Sequence, residues 1–181
     1  MSRDVIDVFL ATRGLEVKQS AWHTFKIDSK NEVEVEVVAC RTAKKKRVLA
    51  FVCLPSFKIS FSHLKEIISV MDAQGSKQAI VFYDEITPVA KQNCKALFSQ
   101  YHIEIIHKDY VTINPLEHEL VPRHELAFSK GTSERTAFLD KYGKNLPWIK
   151  STDVICLYHG FKKGDVILIH RRDLPVYRIV V

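Results

Sequence analysis

The sequence predicts two folded parts, an α/β front half followed by a smaller α+β back half that closes on a β-hairpin. Three observations carry this. The spacing of apolar residues switches between the strand period of two and the helix period of 3.6 several times across residues 30–110. The text then turns polar and irregular after Asn114-Pro115. Finally, LYHGFKKGDVILIHRRDLPVYRIVV (157–181) holds two short apolar runs separated by cations, and two glycines precede them. At 181 residues, 46% hydrophobic and 27% charged, the chain has the composition of an ordinary globular protein with room for one domain or two small ones.

Each element has a local reason. Ser2 can cap a first helix whose Val5, Ile6, Phe9 and Leu10 form one apolar stripe, and Gly14 stops it. EVEVEVVAC alternates, with Val33, Val35 and Val37 on one face and Glu32, Glu34 and Glu36 on the other, which predicts a half-solvated, edge-side strand. Lys44, Lys45, Lys46 and Arg47 form the basic tip of a hairpin that returns through the buried run VLAFVCL. Ser62 is expected to cap a helix bearing Leu64, Ile67, Ile68 and Met71, ended by Gly75, and AIVFY (79–83) follows as a strand. Thr87-Pro88 opens a second helix that turns Val89, Leu97 and Phe98 inward, and HIEIIH (102–107) is the next strand. Residues 30–110 therefore spell β-β-α-β-α-β. Beyond a boundary at 110–117, a helix is expected over 132–142, closed by Gly143. Leu146-Pro147 makes a turn, Asp153 caps a short helix ended by Gly160, and the closing hairpin pairs 166–169 with 177–181.

Charge and motif spacing narrow the function. The net charge of +6, with a pI near 9.1, suits a polyanionic partner without requiring one. No apolar run approaches the length of a membrane span, and MSRDVIDVFLATRG lacks the apolar block of a signal peptide, so an intracellular protein is expected. Cys40, Cys53, Cys94 and Cys156 show no paired spacing and are expected as core thiols. In HELVPRHEL, His118 and His124 stand six apart with Pro122 between them, whereas a helical zinc site needs histidines four apart. The remaining histidines, among them His23, His63, His102, His107, His159 and His170, form no spaced ligand set and are expected at surfaces or interfaces.

A metal-dependent nuclease is the enzymatic alternative. Such enzymes set an Asp and a Glu-x-Lys triplet on a small α/β sheet, where the carboxylates hold the metal and the lysine orients water. Here the triplets run Glu-Val-Glu and Glu-Val-Val, and the lysine is missing. Nucleotide-binding glycine loops and the G-x-S-x-G elbow are likewise missing from the sequence. No cofactor, metal or small-molecule substrate is expected. The start of the Thr87-Pro88 helix, with Lys91 one turn on, offers backbone N–H groups and the positive helix end to a phosphate; an ordinary capped helix start is the alternative.

Taken together, ITPVAK (86–91), LEHELVPRHEL (116–126), LPWIKSTDVICLYHGFKKGDVILI (146–169) and YRIVV (177–181) resemble the fifth-subunit family of eukaryotic RNA polymerases, whose C-terminal half is shared with a shorter archaeal counterpart. The resemblance runs from about residue 48 and is densest beyond 110. It implies a non-catalytic subunit of a DNA-directed RNA polymerase with an N-terminal jaw (1–112) of nuclease-like α/β fold and a C-terminal α+β assembly domain (113–181). The partners implied are the largest polymerase subunit, neighbouring small subunits and the backbone of downstream duplex DNA, with no membrane. Thr87, Pro88 and Lys91 match the jaw positions that approach DNA. His118, Glu119, Leu120, Val121, Pro122, Tyr158, Gly160, Lys163, Gly164 and Asp165 match the assembly motifs. The nucleus is the implied location, or a virion or virus factory if the gene is viral. Two departures stand out: the leading helical region is abbreviated, and Arg172-Asp173-Leu174-Pro175 replaces a longer hairpin connection.

Overall fold

The computed structural model describes residues 3–28, 33–43, 45–53, 58–97, 100–143, 145–172 and 174–181. The expectations for Ser2, Glu32, Lys44, Phe98 and Asp173, and for the side chains of Val33, Glu34, Cys94 and Leu97, lie outside the described residues. The chain divides into two compact units, Met1–Ile113 and Asn114–Val181.

The first unit is built on a five-stranded sheet. Helix α1 (Arg3–Thr12) leads into β1 (Leu15–Asp28), β2 (Val33–Thr42) and β3 (Arg47–Cys53); β5 (Gln78–Tyr83) and β7 (His102–His107) complete the order β1-β2-β3-β5-β7. The first three strands pair antiparallel and the last three parallel. Helices α2 (Phe61–Ala73) and α3 (Pro88–Leu97) form the two crossovers. Alternation along each strand divides the core into two layers. Leu49, Phe51, Ala79 and Val81 pack with Leu64, Ile67 and Met71 of α2 and Ala90 of α3. On the opposite side, Phe82 meets the edge of Phe9 of α1 at a centroid distance of 5.5 Å, and α4 (Asp109–Thr112) lies beside α1. Each large side chain buried in these layers contributes about 2 kcal/mol of hydrophobic stabilisation.

Several expectations change here. Residues 15–28 form a strand that apolar periodicity does not reveal, and it covers β2, which is therefore interior rather than edge-side. The described part of the glutamate face of β2 is covered beyond Glu36, whose side chain stays 27% exposed. Val38 and Cys40 are fully buried on it, and Glu36 accepts hydrogen bonds from Arg3 of α1 at 2.5 and 3.2 Å. Ser60, not Ser62, caps α2: its Oγ accepts from the His63 amide while His63 Nδ1 accepts from the Ser60 amide, a reciprocal box in which a histidine takes the usual Glu position. His63 is buried, not a surface group. Val89 points outward at 59% exposure, and Ala90 fills the inward position. A two-stranded ladder, β4 (Lys58–Ile59) with β6 (Glu85–Ile86), was also unforeseen.

The second unit is a four-stranded sheet in the order β8-β10-β11-β9, from β8 (Arg123–Phe128), β9 (Trp148–Ile149), β10 (Val166–His170) and β11 (Val176–Val180). The closing hairpin forms as expected, with Val166 opposite Ile179 and Ile169 opposite Val176. HELVPRHEL is not irregular throughout, because its second half enters β8. Likewise Leu146-Pro147 leads directly into β9, which pairs parallel with β11. On one face Ile149, Ile167, Ile169 and Val180 pack with Cys156 of α6 (Val154–His159). On the other, α5 (Ser133–Tyr142) lays Phe138 and Leu139 against Val166, Phe128 and Tyr177. Thr132 caps α5 by accepting from the Arg135 amide, and Asp153 caps α6 by accepting from that of Ile155.

Candidate functional site

The expected assembly residues fall on two stretches of the second unit. The first is a projecting turn that follows a 3-10 turn at Pro115–Glu117. The Val121 amide donates to the His118 carbonyl at 2.9 Å and the Leu120 amide to His118 Nδ1 at 3.2 Å, so the turn is self-supported. His118, Glu119 and Leu120 are exposed, and Leu120, an apolar side chain, is 79% so. Val121 and Pro122 are half-buried and help line a groove of about 430 Å³ with Leu116, His124 and His159. Burial pushes the His124 imidazole below its ordinary range, against the pull of its hydrogen bond with the Pro122 carbonyl. Burial lowers His159 too, and His124 adds to this. The groove is therefore lined by neutral rings at neutral pH.

The second stretch, 158–165, is organised from below by Asp165. Its carboxylate accepts the Lys130 amide through Oδ1 at 2.9 Å and the Lys162 amide through Oδ2 at 2.8 Å, tying the β8–α5 connection to the turn before β10. Gly164 donates to the Val180 carbonyl at 2.8 Å and accepts from Arg135 Nε at 2.6 Å. Its φ of +93° and a Lys130 side-chain carbon only 2.7 Å from where a Cβ would stand both require glycine. Gly160 ends α6 in the left-handed region at φ +68°. Tyr158 is 1% exposed and Asp165 7%, so these two shape the surface from beneath and do not form it. Gly160 and Gly164 are half-buried, while Lys163 is exposed. Sequence reasoning missed Lys130 and Arg135. Nothing in their spacing links Lys130 to Asp165 or Arg135 to Gly164, since the two contacts join residues 35 and 29 apart in the chain.

The expected DNA-contact residues sit on the first unit. Pairing of β4 with β6 sets Thr87, whose amide donates to the Ile59 carbonyl at 2.9 Å. Thr87 Oγ1 then accepts the Ala90 amide at 3.2 Å, and the Thr87 carbonyl accepts that of Lys91 at 3.0 Å. Pro88 has no N–H and the Ala90 amide is taken by Thr87 Oγ1, so the first turn has fewer backbone donors to offer than an uncapped helix start. Pro88 and Lys91 are exposed and Thr87 is half-buried.

The buried thiols of Cys40, Cys53 and Cys156 are pushed up to about 12 by burial first of all, which makes them inert at neutral pH. Among the described residues no group of three or more His, Cys, Asp or Glu is placed to hold a metal, and no helix is long and apolar enough to cross a membrane. Glu36, one of the glutamates in the triplets weighed for a nuclease, is engaged by Arg3.

A family model for the RNA polymerase Rpb5, C-terminal domain, matches residues 113–181. The chain is 36% identical over 76 residues to a DNA-directed RNA polymerase subunit Rpo5 of Sulfurisphaera tokodaii, covering 90% of that protein. The chain belongs to the RNA polymerase fifth-subunit family. It is also 31% identical over 130 residues to a family member from Caenorhabditis elegans, the subunit RPABC1 of DNA-directed RNA polymerases I, II and III, and 31% identical over 121 residues to the Dictyostelium discoideum counterpart. These alignments take in 68% and 63% of this chain. In turn, the chain spans 62% of the length of the nematode member and 59% of that of Dictyostelium. All ten expected assembly residues lie inside the stretch matched by the family's C-terminal domain.

Proposed function

We propose that this chain is a non-catalytic subunit of a DNA-directed RNA polymerase, docked on the largest subunit and its small neighbours through Asn114–Val181. The observation that carries the reading is the coincidence of the matched domain with the Asp165-centred turn and the exposed 118–120 loop. Such a preorganised surface loses little entropy on docking. In this reading Leu120, Val121 and Pro122 supply the apolar contact, His118, Glu119 and Lys163 the polar rim, and Tyr158, Gly160, Gly164 and Asp165 fix the shape. The nucleus is the working location for a eukaryotic member; a virus-encoded member would act in a virion or virus factory.

The first unit is proposed as the jaw, with Thr87, Pro88 and Lys91 beside the backbone of downstream duplex DNA. An ammonium on a rigid helix start gives a phosphate contact without reading bases. Affinity capture of the tagged chain from cells, followed by mass spectrometry, tests the assembly. The largest polymerase subunit and its neighbours are expected, and capture of the chain without them would refute it. For the jaw, changing Thr87, Pro88 and Lys91 together to Ala is expected to leave incorporation intact and lower retention of the assembled enzyme on downstream duplex. Losing one phosphate contact should flatten the salt dependence by a slope of about 1. An unchanged salt profile would remove the DNA role.

A further inference from the structure

A second cleft in the Asn114–Val181 unit, of about 340 Å³, is lined by Trp148, Ile149, Lys150, Thr152, Asp153 and Arg178, and lies outside the assembly residues already discussed. Its frame is rigid. The Val181 amide donates to the Ile149 carbonyl at 2.9 Å, the Ser151 amide to the Val181 carbonyl at 2.8 Å and the Asp153 amide to the Lys150 carbonyl at 2.9 Å. Arg178 shares its strand face with Val180 and is half-buried. Its Nε is buried and finds no hydrogen-bond partner among the described residues. A guanidinium N–H withdrawn from water and left unpaired is a costly arrangement, relieved when an anion arrives. At the mouth, Trp148 is 58% exposed on a two-residue strand, and Lys150 is exposed beside it.

The composition indicates what fits. The guanidinium of an arginine lining the cleft can hold a carboxylate through paired N–H groups, Lys150 adds a second cation, and the Trp148 ring offers an apolar surface. Asp153 stands in the same cleft, held there because its Oδ1 accepts the Ile155 amide at 2.9 Å. One acidic group among two cations disfavours a chain of phosphates, which needs a longer basic track, while a single carboxylate is still attracted. We infer that this cleft receives a glutamate or aspartate side chain of a partner polypeptide, its carboxylate on Arg178 and Lys150 and its apolar neighbour against Trp148. The inference does not depend on polymerase assembly, since the cleft is complete within one chain.

The test is a titration of the full chain, followed by nitrogen-proton NMR at the Trp148 indole and the Arg178 Nε–H, with the indole assigned from Trp148→Phe. The probes are the peptide acetyl-Ala-Leu-Glu-Leu-Ala-amide, its Gln counterpart and a short oligothymidylate. The Glu peptide is expected to shift both signals and the Gln peptide to bind about tenfold more weakly, as the charge-assisted bonds are lost. Arg178→Lys keeps the charge but loses the fork and should weaken binding severalfold, as should Lys150→Ala, a surface change that leaves the rest of the spectrum in place. The proposal is overturned if the Glu peptide causes no shift, if Gln binds equally, if both variants bind like wild type, or if oligothymidylate displaces the peptide.

Discussion

The two units hold themselves together by different means. In Met1–Ile113 the sheet is apolar on both faces, and Phe51, Phe82, Leu64 and Met71 are essentially inaccessible. In Asn114–Val181 the strands are short, and one carboxylate, Asp165, fastens two separate connections by accepting two backbone amides. The first unit spreads its stability over many interchangeable side chains; the second concentrates specificity in single residues. This difference teaches where shape is being preserved. A surface meant to meet a partner in one geometry is better fixed by directional bonds than by apolar area.

That contrast can be broken by mutation, beginning with the largest expected effect. Phe51→Ala should cost the first unit about 4 kcal/mol through lost burial and the cavity left behind, measured by denaturant unfolding of a variant retaining Trp22 as its single tryptophan. The second unit, followed through Trp148 alone, should keep its midpoint. Asp165→Ala is the mirror experiment. It strands the Lys130 and Lys162 amides and should cost the second unit about 3 kcal/mol, with Trp22 unaffected. If Asp165→Ala unfolds no earlier than wild type, the idea of a polar fastening is wrong.

Gly164→Val should cost about 2 kcal/mol, from its left-handed φ and the collision with Lys130, and should weaken capture of the largest subunit more than it weakens folding. Thr87→Ala removes the oxygen that accepts the Ala90 amide and should cost the first unit about 1 kcal/mol.

The first unit has directional clasps as well, and one of them yields a pH prediction. Burial pushes the Glu104 carboxyl up, but the hydrogen bond from His102 and the charge and hydrogen bond of Arg13 outweigh this and hold it at about 2. Arg13 Nη1 lies 2.6 Å from Glu104 Oε2, and its guanidinium stacks over Phe9. The folded-state value is below the ordinary 4.5, so the stabilisation is complete above that value and is lost as pH falls toward about 2. Thermal unfolding between pH 5 and pH 2 should therefore fall more steeply for wild type than for Glu104→Gln. Parallel slopes would show that the clasp contributes nothing.

Much of this architecture was legible in the sequence, and the gaps have physical causes. Strands β3 and β5 were readable as short continuous apolar runs buried on both faces, and helix α2 from its 3.6-residue apolar period. β1 was not: LEVKQSAWHTFKID mixes polar and apolar residues without strict alternation, and its pairing with β2 is interrupted between Val17 and Trp22. The glutamates of β2 misled for a related reason, since alternation shows which residues share a face and not what covers that face. Helix α1 covers it, and Arg3 compensates Glu36. At the candidate sites, motif spacing located the residues but not their depth. Tyr158 and Asp165 match assembly motifs yet are buried, because a motif records a requirement for shape as readily as one for contact.

The central claim is that Asn114–Val181 carries the docking surface. Lysine-directed cross-linking of the affinity-captured complex, read by mass spectrometry, tests it most directly. The account predicts links from Lys130, Lys162 and Lys163, which surround the Asp165 turn, to the largest polymerase subunit. A complex in which that subunit links only to lysines of Met1–Ile113, such as Lys65 and Lys91, would contradict it.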